Sequence, residues 1–363
     1  MSAFDIVSQI SLIGLLAYRL AVLSGEHDEG ADRLTLHLLG AAVAMAMVAS
    51  AGILLSRTLE LNGGVWSGLF ADMRVALKVT HFGHVWRWRL PALGVLWLAW
   101  AWRLHRRNHA WTDWVMVIAI AGIALTRSQT GHPADHGDFV LSVWVDWCHL
   151  LAAGVWVGSL FGMSLAVFPD LLRAGEHVVA RVARLFQRLS TLSGIALTVL
   201  LACGIYNVLQ QLGSLHSLWT TRYGATLSVK LIIVFVMILL GAHNRYVKLP
   251  RLLRASGKMA HESRVGAVFR RLLDRDISEP AAATVVRQCA HAVWIESLLG
   301  LAVIATTAVL LHAMPPADAP PHPMGGEMSF HREAVAPQPH GVALPAGAGG
   351  RERILERRTA TFI

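Results

Sequence analysis

Long apolar runs, each about the length a helix needs to cross a bilayer, follow one another along this chain with polar breaks between them. Eight are read, at about 4–24, 34–56, 90–104, 112–130, 139–168, 186–210, 225–244 and 291–313. Their hydrophobic positions are continuous, whereas a membrane β-barrel would show short alternating segments. The expected fold is all-α, a polytopic membrane bundle of about eight transmembrane helices. The first run begins at Phe4 with no basic segment before it and no small-residue cleavage site after it. It is therefore expected to stay as a helix and not to be removed as a signal peptide. No repeat with a period of about 20–50 residues is evident. The organisation expected is an N-terminal membrane half, 1–130, with an outside loop at 57–89, then a second membrane domain, 131–316, and a tail, 317–363.

The fifth run differs from the others in its polar positions. In WVDWCHLLAAGVWVGSLFGMSLAVF, Asp146, His149 and Trp156 fall near one helical stripe, with Cys148 beside them. Ionisable groups at membrane depth are costly and face a bundle interior or a polar cavity. Gly154, Gly158 and Gly162 recur every fourth residue, a spacing that lets another helix approach closely. Such a segment predicts a site between packed helices.

Composition agrees with the pattern: of 363 residues, 55% are hydrophobic and 15% charged, and the mean hydropathy is +0.50. The net charge of +9 does not mark a nucleic-acid binder, because the basic residues gather in alternate loops. Arg103, Arg106 and Arg107 lie in one, Arg173, Arg181, Arg184 and Arg188 in or beside another, and Arg245 to Arg275 in the longest. By the positive-inside rule these loops face the cytoplasm, and an eight-helix count puts both termini outside. The outside loops are then 57–89, 131–138 and 211–224, and Trp66 to Val85 reads as an amphipathic segment at the interface.

Eighteen histidines are unevenly placed. On the expected outer edge stand His81, His84, His132, His136, His149 and His216. Imidazole suits copper and zinc, and Met or Cys adds the softness that favours Cu(I). The tail adds His312, Met314, His322, Met324, Met328 and His331 among prolines and glycines, the composition of a flexible arm able to capture metal. The three cysteines, Cys148, Cys203 and Cys289, form no disulfide framework and no CxxC pair. Within the runs, Asn207, Tyr223, Lys230, Asn244 and Glu296 are the further polar positions. Lys230 and Glu296 are expected to pair with each other or with Asp146, or to fix helix register as a buried ion pair.

These residues resemble the copper resistance protein D (CopD) family. The resemblance rests on D-x-x-H-L-L-A-A-G-x-W-x-G-x-L at 146–160, G-x-x-N at 204–207, T-x-Y-G-x-x-L-x-x-K at 221–230 and N-R at 244–245. Upstream it includes T-x-F-G-x-x-W-x-x-R at 80–89 and G-H at 131–132, and it closes on the last helix with Glu296 and L-H-A-M-P-P. Arg188 is followed by Leu189 where the family usually has an aromatic residue, and no CopC-like β domain is fused. The resemblance implies a bacterial inner-membrane protein of copper handling, moving copper toward the cytoplasm and working beside a periplasmic CopC-like partner. It places His132 and His149 at motif histidines, and Asp146, Trp156, Asn207, Tyr223, Lys230 and Glu296 at motif positions.

The expectation is thus a copper permease and not an enzyme. Its first ligand candidates are His149 and His132, with Cys148, His84 and His136 as further ones. Asp146 is expected to orient an imidazole from behind. No P-loop, phosphorylated-Asp motif or CPC pair indicates ATP-driven transport. Two alternatives stay open: a b-type haem electron carrier using His37, His149, His243 or His291, and a copper-delivery protein that does not transport.

Overall fold

The structure is a computed structural model that describes residues 2–26, 28–106, 110–131, 134, 137–167, 178–212, 216–257, 267–268 and 282–311. The described elements are helices, with no strand among them. In chain order they are α1 (Ser2–Ala17), α2 (Glu29–Leu61), α3 (Leu69–Val79), α4 (His81–His105), α5 (Ala110–Ser128), α6 (Leu141–Ala153), α7 (Val179–Leu212), α8 (Ser217–Thr220), α9 (Arg222–His243) and α10 (Ala282–Leu310). Three of them run on through π-helical turns: α1 through Tyr18–Val22, α6 through Gly154–Gly158, the helical turn Ser159–Gly162 and Met163–Val167, and α9 through Asn244–Lys248 into the helical segment Leu249–Ala255.

Seven of these helices are long and apolar enough to cross a membrane. The protein is a multi-pass membrane protein. The expected third run, 90–104, lies within α4, which starts earlier, at His81. Arg87, Arg89 and Arg103 keep α4 below the apolarity of the other seven. Its 25 residues nevertheless reach about 37 Å, longer than a hydrocarbon core. The expected outside loop 57–89 is corrected: α2 continues to Leu61, α3 fills Leu69–Val79, and Arg87 and Arg89 are helical. Arg89 is fully buried, so it is not a loop charge at all.

Helix α1 holds the bundle together. It contributes Ile6, Ile10 and Tyr18 to a core shared with α6, α7 and α10, and Leu12, Ile13, Leu15 and Leu16 to a second core shared with α2, α4 and α5. The expected glycine stripe is its docking track. A Cβ on Gly14 would stand 2.1 Å from the Gly158 Cα, and one on Gly158 would stand 2.2 Å from the Ile10 carbonyl oxygen. Gly162 faces the Tyr18 ring, whose hydroxyl reaches Met163 Sδ at 3.6 Å.

Buried charges mark both ends of α1. At its start, Asp5 accepts from Arg89, from Arg127 Nη1 at 2.9 Å and from Gln9 Nε2 at 2.8 Å. Near its end, Arg19 donates to Asp113 at 2.5 Å and to Asp32 at 2.7 Å. These levels are 14 residues apart, or about 21 Å along the axis. Just beyond, the α1–α2 connection is tied to α7: Arg184 grips Glu26 at 3.0 and 3.1 Å, Arg181 pairs with Asp28, and Arg188 donates to the carbonyls of Val22 and Ser24.

Elsewhere the exposed surface is apolar. Trp88, Ile118, Ile205, Leu209, Ile232 and Phe235 point outward, as lipid-facing residues do. Only 11% of the apolar window is buried in each of α7 and the α9 segment, against 72% for α1.

Two outcomes test this packing. Gly158→Ala forces the α1 backbone away and should cost about 1–3 kcal/mol of stability. Gly241→Ala, with nothing within 4 Å of the added Cβ, should leave the melting temperature in detergent unchanged. The hydrogen bond from Arg184 holds the Glu26 carboxyl below its ordinary range. The clamp's contribution is therefore complete above the unfolded pKa near 4.5 and is lost as pH falls through the lower folded value. Glu26→Gln should melt earlier than wild type at pH 7, by the equivalent of up to about 1 kcal/mol. That difference should vanish in melts taken near pH 3.

Candidate functional site

Helix α6 carries the residues singled out in the fifth run, and α7 covers them. His149 lays its ring against the one side-chain-free position opposite: Cε1 is 3.3 Å from where a Cβ on Gly204 would stand. The imidazole Nδ1 is buried and makes no hydrogen bond. A buried, unpaired ring nitrogen is costly unless something takes its lone pair or its proton. The ring also has a backbone hydrogen-bonding partner at Leu200 and lies within electrostatic reach of Lys230 on α9. Cys203, one residue before Gly204, is close enough to Cys148 and Asp146 to feel both. Three helices thus bring an imidazole, two thiols, a carboxylate and an ammonium into one neighbourhood.

Asp146 accepts from Ser128 Oγ of α5 at 2.7 Å. Lys230 is half-buried and within electrostatic reach of Asp146. Glu296 does not join them, and it pairs with neither Lys230 nor Asp146. Its carboxylate, 5% exposed, accepts from Asn244 Nδ2 at 2.5 Å. Lys230 and Asn244 are 14 residues apart on α9 and its continuation, about 21 Å, so the polar motif positions occupy two levels.

Other candidates separate in the same way. His84 is exposed, and its Nε2 contacts the Lys78 carbonyl at 3.1 Å. His81 is exposed too, with Nε2 3.1 Å from the Gln129 carbonyl and 3.3 Å from Asp138. Trp156 is a core side chain. Tyr223 donates to Gln211 Oε1 at 2.5 Å and packs with Leu212, Leu227 and Leu310. Asn207 stands one turn beyond Gly204 on α7, half-buried. His132, His136, His312, Met314, His322, Met324, Met328 and His331 lie outside the described residues. Among the described residues, no three His, Cys, Asp or Glu side chains converge as a metal-ligand set. Of the histidines considered for haem, His37 and His291 are exposed, and His243 is about 20 Å along α9 from the level of Lys230.

The residues not anticipated are Asp5, Arg127 and Ser128, together with the role of Arg89. Arg127 links the Asp5 cluster to the α6 site, since it bonds Asp5 and lies within electrostatic reach of Asp146. The available signal was an acid or base inside an apolar run. Asp5 and Arg127 both meet it, although each sits near the end of its run.

Known proteins bear on this arrangement. The family model described as "Copper resistance protein D" matches residues 183–310, and that described as "Copper resistance protein D-like, N-terminal domain" matches residues 3–140. The chain belongs to the copper resistance protein D family. Segment 141–182, with Asp146, Cys148 and His149, lies between the two matched stretches of this family member. Its relatives include the Copper transport protein CutJ of Bacillus subtilis (strain 168), 24% identical over 237 residues, covering 63% of this chain and 42% of that protein. The Inner membrane protein YebZ of Escherichia coli (strain K12) is 26% identical over 200 residues, covering 53% of this chain and 64% of that one. Copper resistance protein D of Pseudomonas syringae pv. tomato is 26% identical over 254 residues, covering 67% of this chain and 79% of that one. The chain thus spans less than half of CutJ and just under two thirds of YebZ. No solved structure is significantly similar. Both family descriptions, and two of these three relatives, are named for copper.

Proposed function

We propose that this protein carries copper across the bacterial inner membrane, from the periplasmic side inward, with no catalytic step. The observation that carries the reading is the buried, unpartnered Nδ1 of His149 on α6, with Cys148 next to it in sequence and Cys203 within electrostatic reach of Cys148 from α7. Imidazole with thiol is a donor set that selects copper over hard cations. Copper is here the cargo, and a site of few ligands suits a cargo that must leave again.

Three considerations extend the reading. The Arg-rich inner ends of α4, α7 and the α9 continuation mark the cytoplasmic face by charge, which puts His149 toward the periplasm and Glu296 toward the cytoplasm. His132 and His136, on the α5–α6 connection, are in sequence close enough to complete the ligand set. The His- and Met-containing tail, with a CopC-like periplasmic protein, supplies capture before the membrane step. Relatives named for copper transport and for the inner membrane support both the cargo and the location.

His149→Ala should abolish copper uptake into proteoliposomes while the protein still inserts and elutes as a single species. Uptake equal to wild type in that variant would sink the assignment. A Soret band in the purified wild-type protein would replace it with the haem reading.

A further inference from the structure

The ten helices fall into two sets of five, α1–α5 and α6–α10: positions in α1, α3 and α4 find counterparts 141 residues later, while α2 with α7 and α5 with α10 correspond in order and packing alone. Thr80 caps α4 by accepting from Gly83 N at 2.9 Å while donating to the Ala76 carbonyl at 2.7 Å. Thr221, 141 residues later, caps α9 by accepting from Gly224 N at 2.9 Å while donating to the Ser217 carbonyl at 2.8 Å. A Cβ on Gly83 would strike the Ala76 oxygen at 2.2 Å, and one on Gly224 the Ser217 oxygen at 2.0 Å. Each of these residues has its counterpart at the same displacement. So do Phe82 and Tyr223, and Arg103 and Asn244, which approach carboxylates on the following helix, Asp113 and Glu296. The packing repeats as well: α1 on α2, α3 on α4 and α4 on α5 correspond to α6 on α7, α8 on α9 and α9 on α10. Four spanning helices per set place both in one orientation, a parallel repeat.

The membrane-buried charges obey the same displacement: Asp5 corresponds to Asp146, and Arg89 to Lys230. In the first set the carboxylate is closed. Arg89 pairs with it directly, stacks on Trp86 at 4.7 Å and also donates to Ser50, while Arg127 takes the second oxygen. In the second set the cation is the lysine. Among the described residues Asp146 makes no ion pair, only the bond from Ser128. The neighbours diverge where ligands matter, with Val7 and Ser8 in the first set against Cys148 and His149 in the second.

We infer that Lys230 is the tethered counter-cation of the copper site, which sets the affinity for the incoming ion by opposing it. Before copper arrives, the ammonium balances Asp146 across a gap that a guanidinium would close. When a monovalent copper ion sits on His149, the two cations repel, and Asp146 is left to be shared between them. A carrier needs that opposition, because an unopposed carboxylate beside soft ligands would hold the ion too tightly to release it. The first set is the closed form of the same device. This inference rests on copper being the cargo. It makes Lys230 a positioning residue and not a ligand.

The test is competition for Cu(I) against a chromogenic chelator, using the full-length purified protein. Lys230→Gln should tighten Cu(I) binding by about tenfold, or about 1.4 kcal/mol, and slow its release into proteoliposomes. Lys230→Arg should weaken binding by at least a similar factor, because the longer fork can close on Asp146 as Arg89 does on Asp5. Opposite signs for the two variants are what a merely structural lysine would not produce. Changes of the same sign, or no change, overturn the inference. If Lys230→Gln does not purify as a folded species, Lys230→Arg decides alone, and wild-type affinity in it overturns the inference. If the wild type itself binds no Cu(I), the copper reading fails instead.

Discussion

Two helix backbones meet at Gly14 and Gly158 with no side chain between them, and the rest of the molecule is arranged around that approach. Between helices in lipid there is little hydrophobic driving force, so association depends on close packing and on polar contacts. The glycines supply the first. Because α1 lies flush against α6, its remaining faces can serve two cores at once, Ile6 and Ile10 toward one set of helices and Leu12 and Leu16 toward the other. A methyl group on either glycine would separate both cores from the helix they share.

That approach also sets where charge can be buried. With α1 fixed, Asp5 and Arg19 stand at two levels, and each finds partners on other helices, Arg89 and Arg127 for one and Asp32 and Asp113 for the other. Breaking such a pair by removing one partner leaves an uncompensated charge in the interior, which costs far more than the intact pair contributes. These clusters therefore specify the axial register of α1 more than they add to stability. The second set of helices repeats the scheme with weaker partners, Asn244 with Glu296 on one level and Lys230 near Asp146 on the other. The looser level is the one that holds the imidazole and the thiols.

How far the sequence discloses this follows from the range of each signal. Run length and hydropathy are local, so the helical membrane bundle and most of its spans are legible. The stripe at Gly154, Gly158 and Gly162 is legible as a docking surface, but its partner is not, since Gly14 is a single glycine in an apolar run. Arg87 and Arg89 dilute the start of α4 and make it resemble a loop, although burial against Asp5 is what permits Arg89 there. The site residues Asp146, Cys148 and His149 stand out because their local pattern is polar at membrane depth. Their partnership does not, because Ser128 is an ordinary residue, and Cys203 and Gly204, although picked out by letter, come to face them only through tertiary contact. The repeat displaced by 141 residues shows in the letters T-x-F-G-x-x-W-x-x-R at 80–89 and T-x-Y-G-x-x-L-x-x-K at 221–230, but the shared cap that gives the two motifs one role shows only in the hydrogen bonds of Thr80 and Thr221.

Helix α7 has one face against His149 and most of the other uncovered by protein. In a bilayer, acyl chains cover that exposed face. Protein interiors resist compression, whereas a lipid wall yields with chain length, unsaturation and lateral pressure. The half of the molecule that carries His149 is accordingly a composite of protein and bilayer, in which membrane composition becomes a variable of the candidate site in the same sense as an amino-acid substitution.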